Sequence, residues 1–185
     1  ELEVREARHP DLEAIAQGMN HFYREHNLWS PVSPAVLGDF LNVEVAGVHP
    51  NRLYVVTRDG QIAGGLSLSD RTRLVRMRVA NLSAIARLLG SALGILPRNG
   101  VLCALTVRRV WFADGELDSA RYLWQRLRYT LCEQGNCMGI AYDPRDRLAD
   151  VYQVPFWLPM FGARYVVRAS RGPDPERPIY CHAGP

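Results

Sequence analysis

VLCALTVRRVWFADGELDSARYLWQRLRYTLCEQG, Val101–Gly135, is the stretch on which the fold turns. Leu102–Val110 is apolar and rich in Val, Leu and Thr, which predicts a strand. Phe112–Asp118 is a short turn containing Gly115. From about Ser119 to Glu133, Ala120, Leu123, Trp124, Leu127 and Leu131 recur at helical spacing, with Arg121, Gln125 and Arg128 opposite them. A helix therefore follows, stopped by Gly135. A strand feeding directly into a helix N-terminus presents backbone N–H groups that have no internal partner, which is the geometry of an anion site.

Upstream, Leu2–Arg8 alternates apolar and charged residues as a short strand does. His9-Pro10-Asp11 opens a helix with the stripe Leu12, Ile15, Ala16, Met19, Phe22 and Tyr23. It fades near His26-Asn27, and prolines at 31 and 34 separate it from a second helix, about Ala35–Leu41. His26, Asn27 and Trp29 lie on the irregular backbone between these helices, where they serve either as a substrate-binding wall or as local packing. Arg52–Arg58 and Gln61–Ser69 flank Asp59-Gly60, a strong hairpin signal. Asp70–Gly100 reads as an insert: an Arg-rich strand continuation, then a helix over Asn81–Leu93 whose apolar stripe covers the protein's own core. Downstream come a strand at Cys137–Asp143, a turn at Asp143–Asp146, a short helix at Leu148–Val154, a strand at Ala163–Ala169 and a last strand at Ile179–His182.

A chain of 185 residues suits one domain, with 48% hydrophobic and 22% charged residues. No run of 18 apolar residues exists, and no secretory signal is visible. Cys103, Cys132, Cys137 and Cys181 match no zinc or redox spacing and are expected as buried free thiols of a cytoplasmic protein. The histidines form no metal-binding pair, so no metal is expected. The first residue is Glu1 rather than Met, which points to a trimmed chain or a piece of a longer one, with a homodimer or a fused partner domain left open. All 22 basic residues are arginine. Arg71–Ala113 holds eight of them and no Asp or Glu, either a solvated face or a positive surface for a phosphorylated or acidic ligand. Aromatic residues are not interleaved there, so nucleic acid is not an expected partner.

The order β-α-α-β-β-insert-β-α-β-α-β-β resembles the GNAT superfamily of acyl-CoA N-acyltransferases over nearly the whole chain. Three stretches carry the resemblance: LYVVTRDGQIAGGLSL (Leu53–Leu68), the strand–turn–helix at Val101–Gly135, and LADVYQV with the later FGARYVV. It implies an α/β (α+β) fold: a mixed, mostly antiparallel sheet of about seven strands, split in a V between the fourth and fifth, with helices on both faces. It also implies acetyl-CoA or another acyl-CoA as co-substrate and a small-molecule or peptide amine as acceptor. The pantetheine arm would pair with strand backbone at Val110 and Trp111. The pyrophosphate would rest on the turn Gly115-Glu116-Leu117-Asp118-Ser119-Ala120, with Arg121 beside it. Tyr152 matches the tyrosine that protonates the leaving thiolate, and His26 and Trp29 would lie on the substrate side.

Two residues depart from the family's Gln/Arg-x-x-Gly-x-Gly/Ala loop. Gly115 stands at the Gln/Arg position, and Asp118 stands at the first glycine. A carboxylate there repels phosphate, and as a helix cap it would occupy the phosphate's seat. Glu116 adds a second negative charge. The sequence thus supports an N-acyltransferase, with a catalytically degenerate GNAT module for sensing or docking as the alternative. The general base is open, with His21 and His26 as candidates.

Overall fold

Asp59 and Gly60 take φ of 50° and 83°, the left-handed pair that turns one strand tightly onto the next. The strands they join are the centre of the sheet. The computed structural model describes residues 1–78, 90, 100–156, 158, 162 and 172–181. Its strands are Leu2–Glu6 (β1), Asn51–Arg58 (β2), Gln61–Asp70 (β3), Met77–Arg78 (β4), Val101–Leu102 (β5), Ala104–Phe112 (β6) and Cys137–Gly139 (β7). Among the described residues they form a five-stranded sheet of order β1-β2-β3-β6-β7 and a separate pair β4-β5. All neighbours in the large sheet are antiparallel except β6 and β7, which are parallel.

The helices are Leu12–Tyr23 (α1), Pro34–Asn42 (α2), Leu117–Leu131 (α3) and Leu148–Tyr152 (α4). Ser33 caps α2 by accepting from the Val36 amide at 3.3 Å. α1 packs on α2, β3 and β6, while α3 packs on α4 and on β1, β2, β3 and β6, so helices cover both faces of the sheet. The expected stripes are the ones buried: Leu12, Ile15, Met19 and Phe22 on α1, and Leu123, Leu127 and Leu131 on α3.

One close approach fixes how α1 lies on the sheet. A Cβ on Gly18 would come within 2.0 Å of the Trp111 ring. Gly18→Ala therefore forces the indole to move. We expect it to cost about 1–3 kcal/mol in urea unfolding, although alanine is the better helix former.

The sequence expectation needs five corrections. The strand expected at Leu102–Val110 is divided: Val101 and Leu102 pair with β4, while β6 begins at Ala104 and runs on to Phe112. The break lies at Cys103, whose carbonyl accepts from the Asn136 amide at 3.1 Å. α3 begins at Leu117, ahead of the expected Ser119, because Gly115 (φ 82°) reverses the chain and the Glu116 amide closes onto the Ala113 carbonyl at 3.0 Å. β7 ends at Gly139 instead of Asp143, where β6 leaves it. Among the described residues the last expected strand, Ile179–His182, makes one parallel bridge, Asn27 to Ile179. All four cysteines are free, but Cys132 is exposed and the others are half-buried. Apart from residue 90, which is helical, the insert helix over 81–93 lies outside the described residues, as does the strand over 163–169.

Candidate active site

β6 and β7 pair only at Ala104–Cys137, Leu105–Met138 and Thr106–Gly139, and then part. A bulge in β6 accompanies the parting. Gly65 of β3 pairs with Trp111 and Ser67 pairs with Arg108, so Leu66 faces two residues, Arg109 and Val110. Arg109 takes φ 49°, a left-handed conformation that a bulged residue can hold. The Ser67 hydroxyl donates to the Arg108 carbonyl at 3.0 Å and pins the bulge. Between the separated strands lies a cavity of about 10 Å³, lined by Tyr23, Val110, Tyr142, Asp146, Tyr152 and Tyr180 among others. That is room for about one water.

Tyr152 of α4 is only 5% exposed. Its ring meets Trp124 edge-on at 5.0 Å and Tyr142 at 5.2 Å. Burial, with Asp146 nearby, pushes its phenol well above the usual value, so the group stays protonated near neutrality. Tyr23 enters from the α1 side and donates to the Val110 carbonyl at 2.5 Å. That carbonyl, expected to serve the pantetheine arm, is thus engaged by the chain itself. The Trp111 side chain is core, lying against Gly18 and Gly65.

The Tyr23 phenol is likewise raised by burial. Between about pH 10, where an unfolded tyrosine ionises, and the folded values, the native state holds two protons that the unfolded chain has lost. Stability therefore falls as pH rises, by ~1.4 kcal/mol per pH unit for each tyrosine. Thermal melts should drop steeply above about pH 10, and Tyr23→Phe should flatten the drop.

The turn before α3 gathers three carboxylates, and each has a cationic partner. Asp114 lies 3.1 Å from His21 and 3.4 Å from Arg147. Glu116 accepts from Arg58 at 2.9 Å and from the Ser119 hydroxyl. Asp118 pairs with Arg121 at 3.3 Å, and its side chain is 83% exposed. Asp118 is therefore no cap: it sits in the first turn of α3 and points outward, because the helix starts ahead of it. The amides of Leu117, Asp118 and Ser119 meet no acceptor among the described residues. A Cβ on Gly115 would have nothing within 4 Å, so the approach to the turn is open there. Ser119 and Ala120 are buried, and Arg121 ties the turn to α4 by donating to the Asp150 carbonyl at 3.0 Å.

His26 is not a loose wall residue. Its Nε2 lies 2.8 Å from Asp146, with the two side chains 7% and 3% exposed. Its Nδ1 is buried with no partner among the described residues. Asp146 also accepts from the Leu148 amide at 3.1 Å, which secures the start of α4. It lines both the cavity and an adjoining groove of about 280 Å³ between α1 and the turns that follow β6 and β7. Sequence reasoning missed Asp146, because an acid just before a helix is most simply a cap, and its partner is 120 positions away. Trp29 stacks on Tyr23 at 4.5 Å and meets Tyr180 edge-on at 4.8 Å, so it joins the aromatic group at the split.

Among solved structures, the chain is similar to an aminoglycoside acetyltransferase from an uncultured soil metagenomic sample in complex with trehalose (TM-score 0.56, 13% identity, 91% of this chain and 97% of that one). It is also similar to a predicted acetyltransferase with acetyl-CoA from Clostridium acetobutylicum (TM-score 0.50, 10% identity, 87% and 96%). The fold is the GNAT fold. A further match is a transcriptional regulator from Bacillus halodurans C-125 (TM-score 0.54, 14% identity, 90% and 100%). No protein-family model matches the sequence, and no curated protein does. In GNAT terms β6 and β7 are the fourth and fifth strands, and the V between them is the gap described above.

Proposed function

We propose that this protein transfers an acetyl or other acyl group from acyl-CoA to a primary amine. One observation carries the reading: parallel β6 and β7 part beside a bulge, and the phenol of Tyr152 lines the gap. The turn before α3 suits a pyrophosphate on three counts. The amides of Leu117 and Asp118 meet no acceptor among the described residues, Gly115 leaves room, and every carboxylate is matched by Arg58, Arg121, Arg147 or His21.

In the transfer, the C–N bond to the amine forms as the C–S bond of the thioester breaks, and one proton passes from nitrogen to sulfur. His26, braced by Asp146, takes the proton from nitrogen. Tyr152 holds its own proton at neutral pH and donates it toward the leaving sulfur, then regains one through Asp146 and His26. Backbone of the bulged strand beside the cavity polarises the carbonyl. His26 borders the acceptor's approach, and Trp29 backs it by packing on Tyr23 and Tyr180.

A panel of primary amines incubated with acetyl-CoA tests the reading. Release of free thiol matched by an acetylated amine, by mass spectrometry, is the expected result. A second reading has its own observation: Tyr23 already occupies the Val110 carbonyl and closes the split, as in a module that has kept the fold without the chemistry. Absence of thiol release with every amine, alongside intact folding, would select it.

A further inference from the structure

β3 ends in an exposed basic turn. Asp70 fixes its start, one carboxylate oxygen accepting from the Thr72 amide at 3.0 Å and from the Thr72 hydroxyl at 2.7 Å. The Arg71 carbonyl then accepts from the amides of Leu74 and Val75 at 2.9 and 2.8 Å, which folds the chain back on itself. β4 follows directly, with Met77 paired to Leu102 and Arg78 to Val101. The turn and β4 carry Arg71, Arg73, Arg76 and Arg78, and all four are exposed. No ion pair joins any of them to a carboxylate of the described residues. Asp70, the nearest acid in the chain, is engaged within the turn, and the next one after it is Asp114. Val75 and Met77 stand among these arginines, 51% and 47% exposed.

A solvated protein face ordinarily mixes charges of both signs and keeps large apolar side chains apart from one another. This protrusion has one sign of charge and two apolar side chains within the same short stretch. An acidic lipid surface matches both features. Its headgroups attract guanidiniums, and the boundary beneath them takes up apolar side chains. Nucleic acid would use the arginines but leave Val75 and Met77 in water, and no aromatic residue lies between Asp70 and Arg78 for a base to stack on. We propose that the turn Arg71–Val75 and β4 dock this protein on an anionic membrane surface. The arginines meet the headgroups, and Val75 and Met77 enter the layer between headgroups and acyl chains. The inference does not draw on the acyl-transfer reading, since none of these residues lines the cavity or the groove of the candidate site.

Vesicle co-sedimentation of the whole chain tests this. The probes are vesicles of phosphatidylcholine alone, vesicles of an equal mixture of phosphatidylcholine and phosphatidylserine, and a short DNA duplex. The natural protein should bind the mixed vesicles and not the neutral ones, and added sodium chloride should release it. Arg73→Gln should weaken that binding about fivefold, and Arg73→Gln with Arg76→Gln about twenty-fivefold, ~1 kcal/mol for each arginine. Val75→Ser with Met77→Ser leaves the charge unchanged and should weaken vesicle binding about threefold or more. All of these positions are exposed, so the variants should keep the natural melting temperature. At the same concentration of negative charge, the duplex should bind more weakly than the mixed vesicles. No binding to the mixed vesicles, equal binding to both kinds of vesicle, unchanged affinity in the arginine or the serine variants, or tighter binding to the duplex would overturn the proposal.

Discussion

Tyr152→Phe is expected to lower kcat by about 10²–10⁴-fold, the usual worth of a positioned proton donor, with acetyl-CoA affinity changed by less than about threefold. The substitution deletes one oxygen and keeps the ring, so the edge-on contact with Trp124 and the contact with Tyr142 survive. Loss of a single buried hydroxyl costs at most about 1–2 kcal/mol of stability, so the variant should fold. The effect on turnover should be flat from pH 6 to 9, because burial keeps the natural phenol protonated across that range. Steady-state thiol release, with calorimetry for binding, separates the two quantities. A variant with natural kcat would remove Tyr152 from the chemistry and leave it as packing.

Asp146→Ala should cost about 2–5 kcal/mol of stability, the largest stability effect expected of any single change discussed. It strands two buried donors at once, the Nε2 of His26 and the amide of Leu148, and leaves a cavity where the carboxylate stood. α4 is short, Leu148–Tyr152, and Asp146 is what secures its first turn. Loosening it also displaces Tyr152, so activity should fall further than the stability loss alone implies. Asp146→Asn is the informative comparison. It keeps the volume, its one oxygen can still accept from the Leu148 amide, and its NH2 can donate to Nε2 of the other His26 tautomer, so most of the stability should return. It lacks the negative charge that braces His26 as a base, so turnover should remain well below natural. Urea unfolding of the two variants beside the natural protein measures the first effect, and thiol release measures the second. Equal stability of Asp146→Ala and the natural protein would show that the His26 pair contributes nothing.

Much of this architecture was legible in the sequence, because the signals are local. The Asp59-Gly60 turn and the alternation on either side of it specify the hairpin. The stripe from Ala120 to Leu131 specifies α3 and the face it buries. Termini were less legible. Ser119 reads as a helix start because serine favours caps, yet Gly115 turns the chain earlier and the helix is under way by Leu117. That shift moves Asp118 from a cap to an exposed side chain, which answers the objection that it sits in the phosphate's place. The pairings that neutralise the turn were not legible at all. Arg58 reaches Glu116 from the hairpin, and Arg147 and His21 reach Asp114 from α4's approach and from α1, all across long stretches of chain. The same holds for the bulge at Arg109: no residue type in Arg108-Arg109-Val110 calls for a left-handed φ, and only the mismatch in pairing with β3 produces it.

The central claim is that this split and this turn hold acyl-CoA, and titration calorimetry of the full chain with acetyl-CoA tests it most directly. One saturable site with a dissociation constant on the order of 10 μM is the predicted result. At 1 mM ligand this corresponds to about 2.7 kcal/mol of added stability. For a chain of this size the melting temperature should then rise by roughly 5–10 °C. No heat of binding and no melting shift with acetyl-CoA, CoA or longer acyl-CoA at 1 mM ligand, roughly a hundred times the expected constant, would contradict the account.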